Sequence, residues 1–209
     1  MADVDLRNTG WSRGGNNLNE IIEERLIDGA ELMQKIAKNR SLVVDISKAV
    51  EMCSNSISSG GKILFMGNGG SAADSQHLAT ELVSRYLLER GALPALALTV
   101  DTSAITAIGN DYSFDSIFSR QIEALCKDVD VVIGISTSGN SKNVIKGVEA
   151  ANLLGAKTIS LTGNGGGELS QKSSHSIVVP SESTPLIQQA HISIGHILCE
   201  LLETSQANH

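Results

Sequence analysis

The stretch KILFMGNGGS (residues 62–71), continued directly by AADSQHLATELV (72–83), carries the reading of the chain. KILFM is a short apolar run of the kind that forms a strand buried on both faces. Gly67, Gly69 and Gly70 end it. Leu78 and Leu82 then recur at helical spacing. A strand, a glycine loop and a helix in that order open a parallel sheet, because a parallel neighbour is reached only through a crossover.

The same unit recurs downstream. PALALTV (94–100) ends at Asp101, VDVVIGIS (129–136) in TSGNS, AKTISLTG (156–163) in NGGG, and HSIVVP (175–180) gives a fifth strand. Helical patterns lie between most of them, and a long one closes the chain over about 185–204. Upstream, two helical patterns cover about 18–37 (Ile21, Ile22, Leu26, Leu32, Met33, Ile36) and 41–58 (Leu42, Val43, Ile46, Ala49, Val50, Cys53). Ser59, Gly60 and Gly61 stop the second. Residues 1–16 are polar and rich in Gly and Asn, which predicts a loosely ordered segment ahead of a single domain over 17–209. The expected fold is α/β: a three-layer α/β/α sandwich on a five-stranded parallel sheet, plus N-terminal helices. Ligands of such sheets bind beyond the carboxyl ends of the strands, where the Gly/Ser loops fall.

Composition narrows the partners. Of 209 residues, 3% are aromatic and the net charge is −7, which disfavours base stacking, nucleic acid and anionic membranes. An anionic ligand therefore needs a local pocket, and backbone N–H groups can supply one. Cys53, Cys126 and Cys199 show no metal or redox spacing and read as reduced thiols. With neither a signal-peptide pattern nor an apolar run of about 18 residues, the expectation is a cytoplasmic protein.

Two loops have the chemistry to hold a phosphate. Gly67–Ser71 permits close backbone approach, with Ser71 expected to cap the following helix. Ser136-Thr137-Ser138-Gly139-Asn140-Ser141 adds hydroxyls to the same design. Either alone is equally a helix-capping turn, but two at strand ends favour an anion site. Gly163–Gly167 lacks a hydroxyl and reads as an ordinary turn. No Walker run GxxxxGK[ST] occurs. Gly67-x-Gly69-x-x-Ala72 matches the loose dinucleotide fingerprint. However, Asp101, the acid at the second strand end, comes too late for the expected spacing of about 20 residues.

His77 and Glu81, at i and i+4, share a face of the helix opened by GNGGS and could form a metal site or an acid–base pair. By spacing alone a surface pair worth a few tenths of a kcal/mol is the better reading. The closing helix carries Gln188, Gln189, His191 and His196 among apolar residues. Each of these histidines, by default, is a satisfied core or interface residue.

Five motifs in order, GNGGSAADSQHLATEL, TAIGNDYSFDSIFSRQ, GISTSGNSKNVIKG, LTGNGGGEL and IQQAHISIGHIL, resemble the sugar isomerase (SIS) domain of phosphoheptose isomerases over roughly residues 40–203. The resemblance implies a flavodoxin-like SIS fold and conversion of sedoheptulose 7-phosphate to D-glycero-D-manno-heptose 7-phosphate, for bacterial heptose precursors. It implies Glu81 and His196 as catalytic residues. It implies one Zn²⁺ per subunit, held by His77, Glu81, Gln188 and His196. Asn68, Gly69, Gly70, Ser71, Glu81, Asn110, Asp111, Ser136, Thr137, Ser138, Ser141 and Gln188 match substrate-binding positions. A homotetramer with sites at subunit interfaces is implied as well, with a small sugar phosphate as the other partner.

Pro185-Leu186 stands where some members have Asp-Arg. Gln188 and His196 are eight residues apart, about 12 Å of helix, so binding one ion calls either for side chains that converge or for an irregular helix start at Gln188. The alternative to an enzyme is a non-catalytic SIS-domain protein that binds sugar phosphates or associates with a replication initiator. Retention of both Glu81 and His196 argues for the enzyme.

Overall fold

The protein's structure is a computed structural model, described here for residues 17–207. The expectation for residues 1–16 falls outside them. The chain runs α1 (Leu18–Lys38), α2 (Arg40–Ser58), β1 (Ile63–Gly67), α3 (Gly70–Val83), β2 (Ala95–Ala97), α4 (Thr102–Asp111), α5 (Ser119–Leu125), β3 (Val131–Ser136), α6 (Lys142–Leu153), β4 (Lys157–Thr162), α7 (Gly167–Lys172), β5 (His175–Val178) and α8 (Thr184–Ala207). Asn17 starts α1 through a capping box: the Glu20 N–H donates to its side chain at 3.0 Å, and the Asn17 N–H donates to the Glu20 carboxylate at 3.0 Å.

All five strands are parallel, in the order β2-β1-β3-β4-β5. The period of two along each strand divides the core. Ile63, Phe65, Val131, Ile133, Ile135, Ile159 and Leu161 face the layer formed by α1, α2, α3 and α8. Leu64, Met66 and Val132 face the layer that includes α5, α6 and α7. Burial on both faces explains why these strands read as continuous apolar runs. β2 spans three residues, shorter than the seven-residue expectation, because it is an edge strand that pairs only with β1 before the chain turns toward Asp101, the N-cap of α4.

The strand order reverses between β1 and β3. That switch point opens a crevice at the carboxyl edge of the sheet. The loops after β1 and β3, the two Gly/Ser loops of the sequence, flank it on either side.

Candidate active site

The first loop is built by glycine. Gly69 has φ 55° and is the N-cap of α3. Ser71, expected as the cap, is instead buried in the first helical turn. The positive φ at Gly69 starts the helix two residues earlier than a cap at Ser71 would. The N–H of Ser71 donates to the Asn68 carbonyl, and those of Ala72 and Ala73 to the Gly69 carbonyl. Among the described bonds, the exposed amides of Gly69 and Gly70 have no acceptor within the chain. They are the free donors of this helix start.

In the second loop the Ser136 and Ser141 hydroxyls lie 2.9 Å apart, and the Asn140 N–H donates to the Ser138 hydroxyl at 3.2 Å. Thr137 and Ser138 line its outer turn. The Gly163–Gly167 segment supports this loop from outside, in line with its reading as a structural turn. Leu169 N–H donates to the Gly139 carbonyl at 2.8 Å, and the Asn164 amide to the Thr137 carbonyl at 3.1 Å. The two main loops are joined by a reciprocal amide pair that pattern reading did not find. Asn68 and Asn143 each donate to the other at 2.8 Å, and Asn143 is 2% exposed.

Further along α3 lies the acid–base cluster. The Nε2 atoms of His77 and His196 are 2.8 Å apart, and His77 Nε2 is 3.4 Å from Glu81 Oε1. One ligand atom from each of His77, Glu81 and His196 falls within 4.8 Å of the others. Two imidazole nitrogens and a carboxylate oxygen this close together could hold a metal ion. Within one chain, Glu81 of α3 meets the closing helix α8. α3 and α8 pack side by side on the same face of the sheet, and Gly195 lets Leu78 approach α8 closely.

Gln188 sits within regular helix, since α8 begins at Thr184. The irregular start is therefore absent. The Gln188 amide packs over Gly70, where a β-carbon would collide with it. Gly70 and His77 are about 10 Å apart along α3. Asn110 and Asp111 end α4, exposed, and bond to each other at 2.9 Å. Among the described residues no side-chain hydrogen bond ties them to either loop.

Three further residues border the cluster. Asp74, one turn before His77, shares its face of α3 and could have been found by the i, i+3 spacing. Burial pushes its carboxyl up, the neighbouring His77 and His196 holding it partway back, and its Oδ2 is buried without a hydrogen bond. The Tyr86 ring stacks on His196 at 5.5 Å between centroids and 19° between planes. Arg90 donates to the Glu81 carbonyl at 2.9 Å. Nothing local in the sequence marks Tyr86 or Arg90. His191 is buried as expected, but neither ring nitrogen makes a well-formed hydrogen bond. Burial pushes the ring down to about 4, the Thr162 backbone compensating only in part.

Comparison with known proteins gives the same picture. Residues 28–163 match the SIS domain family. The phosphoheptose isomerase of Akkermansia muciniphila is 47% identical over 186 residues, covering 89% of this chain and 97% of that one. Among solved structures, phosphoheptose isomerase from Neisseria gonorrhoeae aligns with a TM-score of 0.84 at 41% identity, over 90% of this chain and 100% of that one. The enzyme from Francisella tularensis aligns at 0.86 and 34%, with the same coverage. With its SIS fold, its two glycine/serine loops and its His–Glu–His cluster, the chain belongs to the phosphoheptose isomerase family.

Proposed function

We propose that this enzyme is the aldose–ketose isomerase that converts sedoheptulose 7-phosphate to D-glycero-D-manno-heptose 7-phosphate through an enediolate, supplying precursors of heptose-containing bacterial glycans. The observation that carries this reading is the His77–Glu81–His196 cluster, set along α3 from the loop whose Gly69 and Gly70 amides are free. The separation of about 10 Å is of the order of an extended sugar phosphate.

In this reading Ser71, Ser136, Thr137, Ser138, Ser141 and the Gly69 and Gly70 amides hold the phosphate, and that remote binding keeps the sugar in register. Asn68, Asn110, Asp111 and Gln188 contact the sugar. The half-buried Glu81 carboxylate removes a proton from C1 of the ketose and returns one to C2. His196 moves the O1 hydroxyl proton to O2, a task suited to a ring that can both accept and donate a proton. A Zn²⁺ held by His77, Glu81 and His196 would supply Lewis-acid polarisation of the carbonyl. The enzyme works as a cytoplasmic homotetramer. Supporting the assembly, α1 and α2 leave Leu26 70%, Val44 50% and Ile22 49% exposed. No described helix is long and apolar enough to cross a membrane.

NMR of purified protein with sedoheptulose 7-phosphate tests the reading: the aldose product should appear. Glu81→Gln and His196→Gln should each cut turnover by at least about 10²-fold with the fold intact. Absence of product, or comparable kcat/KM on unphosphorylated sedoheptulose, would overturn it.

A further inference from the structure

Behind the cluster lies a buried ion pair. Arg90, in the segment after α3, and Glu203, near the end of α8, have side chains only 5% and 1% exposed, with Nε 3.2 Å from Oε1. A buried pair is costly to desolvate and persists only when its remaining polar groups are satisfied. Here they are used on the backbone of the site. Arg90 Nη2 donates to the Glu81 carbonyl at 2.9 Å. Its Nη1 donates to the carbonyls of Leu82 at 2.7 Å, Ser84 at 3.2 Å and Gly91 at 2.9 Å. Glu203 accepts the N–H groups of Tyr86, Leu87 and Leu88 at 2.9, 2.7 and 2.8 Å.

These bonds converge on two residues of the cluster. The last carbonyls of a helix lack partners inside it. Arg90 takes those of Glu81 and Leu82 and so holds the final turn of α3, which carries the Glu81 side chain. Glu203 lies seven residues after His196, two turns along the same face of α8. The turn it binds presents the Tyr86 ring that stacks on His196. One pair therefore clamps the α3 terminus, the α8 face and the ring against His196.

We propose that Arg90 and Glu203 are positioning residues that set Glu81 and His196 relative to each other, with Tyr86 as the contact that orients the imidazole. This rests on the reading of Glu81 and His196 as the reaction centre. Neither member of the pair is assigned contact with substrate.

The test uses Arg90→Lys, which keeps the charge but loses the fork that spans four carbonyls, and Glu203→Gln, which keeps size and one acceptor oxygen. Far-UV circular dichroism checks folding. Co²⁺ titration, read by visible absorption, reports the cluster geometry independently of turnover. Both variants should bind Co²⁺ about 10- to 100-fold more weakly, the usual scale for loss of a group supporting a ligand. Their kcat should fall about tenfold or more with KM for the sugar phosphate within about twofold, since the phosphate loops are untouched. Folded variants with wild-type Co²⁺ affinity and kcat would overturn the proposal.

Should either fail to fold, Tyr86→Leu, which spares the pair, decides. Reduced kcat with an altered Co²⁺ spectrum supports the role, and unchanged values reject it. His196→Gln runs alongside. If it leaves turnover and Co²⁺ binding intact, the reaction-centre reading falls and this proposal with it. If it loses both while Arg90→Lys and Glu203→Gln lose neither, only the positioning role falls.

Discussion

His191 and His196 lie five residues apart on α8 and meet opposite environments. His196 reaches the cluster, whereas His191 points into the core and is 1% exposed. Burial holds the folded-state pKa of His191 at about 4, against an ordinary 6.5. Between these values the unfolded chain binds the extra proton and the folded chain does not. Stability is therefore full above about pH 6.5 and falls as pH drops toward 4, by about 3 kcal/mol at most for a shift of this size. His191→Leu should flatten this acid limb in urea melts taken across that range. Parallel pH profiles for wild type and variant would refute the assignment.

Among the elements, the two glycine/serine loops act as one unit because of Asn68 and Asn143. Their cyclic amide pair spans the switch point and fixes the start of α6 against the end of β1. Removing one amide leaves the other with a lost partner in a half-buried place, a cost of about 1–3 kcal/mol. Asn143→Ala should therefore lower kcat/KM for the sugar phosphate by about tenfold or more. Asn68→Ala and Asn143→Ala should be non-additive in a double-mutant cycle, as expected of side chains in contact. Strict additivity would show that the loops are set independently. Gly139, with φ 66° and its Cα packed against the Gly166–Gly167 backbone, shows why the third loop is needed although it carries no hydroxyl.

At the scale of the whole molecule, each chain holds its own Glu81–His196 pair. Mixing Glu81→Gln with His196→Gln subunits should thus restore no activity, and recovery in the mixture would mean that chains exchange these residues. Light scattering should give the mass of four chains, with α1 and the Val43–Val44 edge of α2 covered. An active monomer at micromolar concentration would contradict this. Burying the exposed Leu26, Ile22, Ile27 and Val44 would favour association at about 25 cal/mol per Å² of apolar area.

The strands, the glycine loops and the helical faces were legible in the sequence because each is written in neighbouring residues. Apolar runs mark strands buried on both sides, Gly and Ser mark the turns that follow, and the His77–Glu81 spacing marks one helix face. The order of the strands and the amide link between the loops were not legible, and only the family resemblance, not any local pattern, brought His196 to His77 and Glu81. These depend on contacts between residues far apart: 119 positions for His77 and His196, and 75 for Asn68 and Asn143. Local periodicity carries no information about which distant faces pack together. The same reason hid Arg90 and Glu203, whose charges look like ordinary surface residues until folding buries them. Ser71 was read as a helix cap from its type alone. The backbone gave that place to Gly69, because a positive φ is cheap only without a β-carbon.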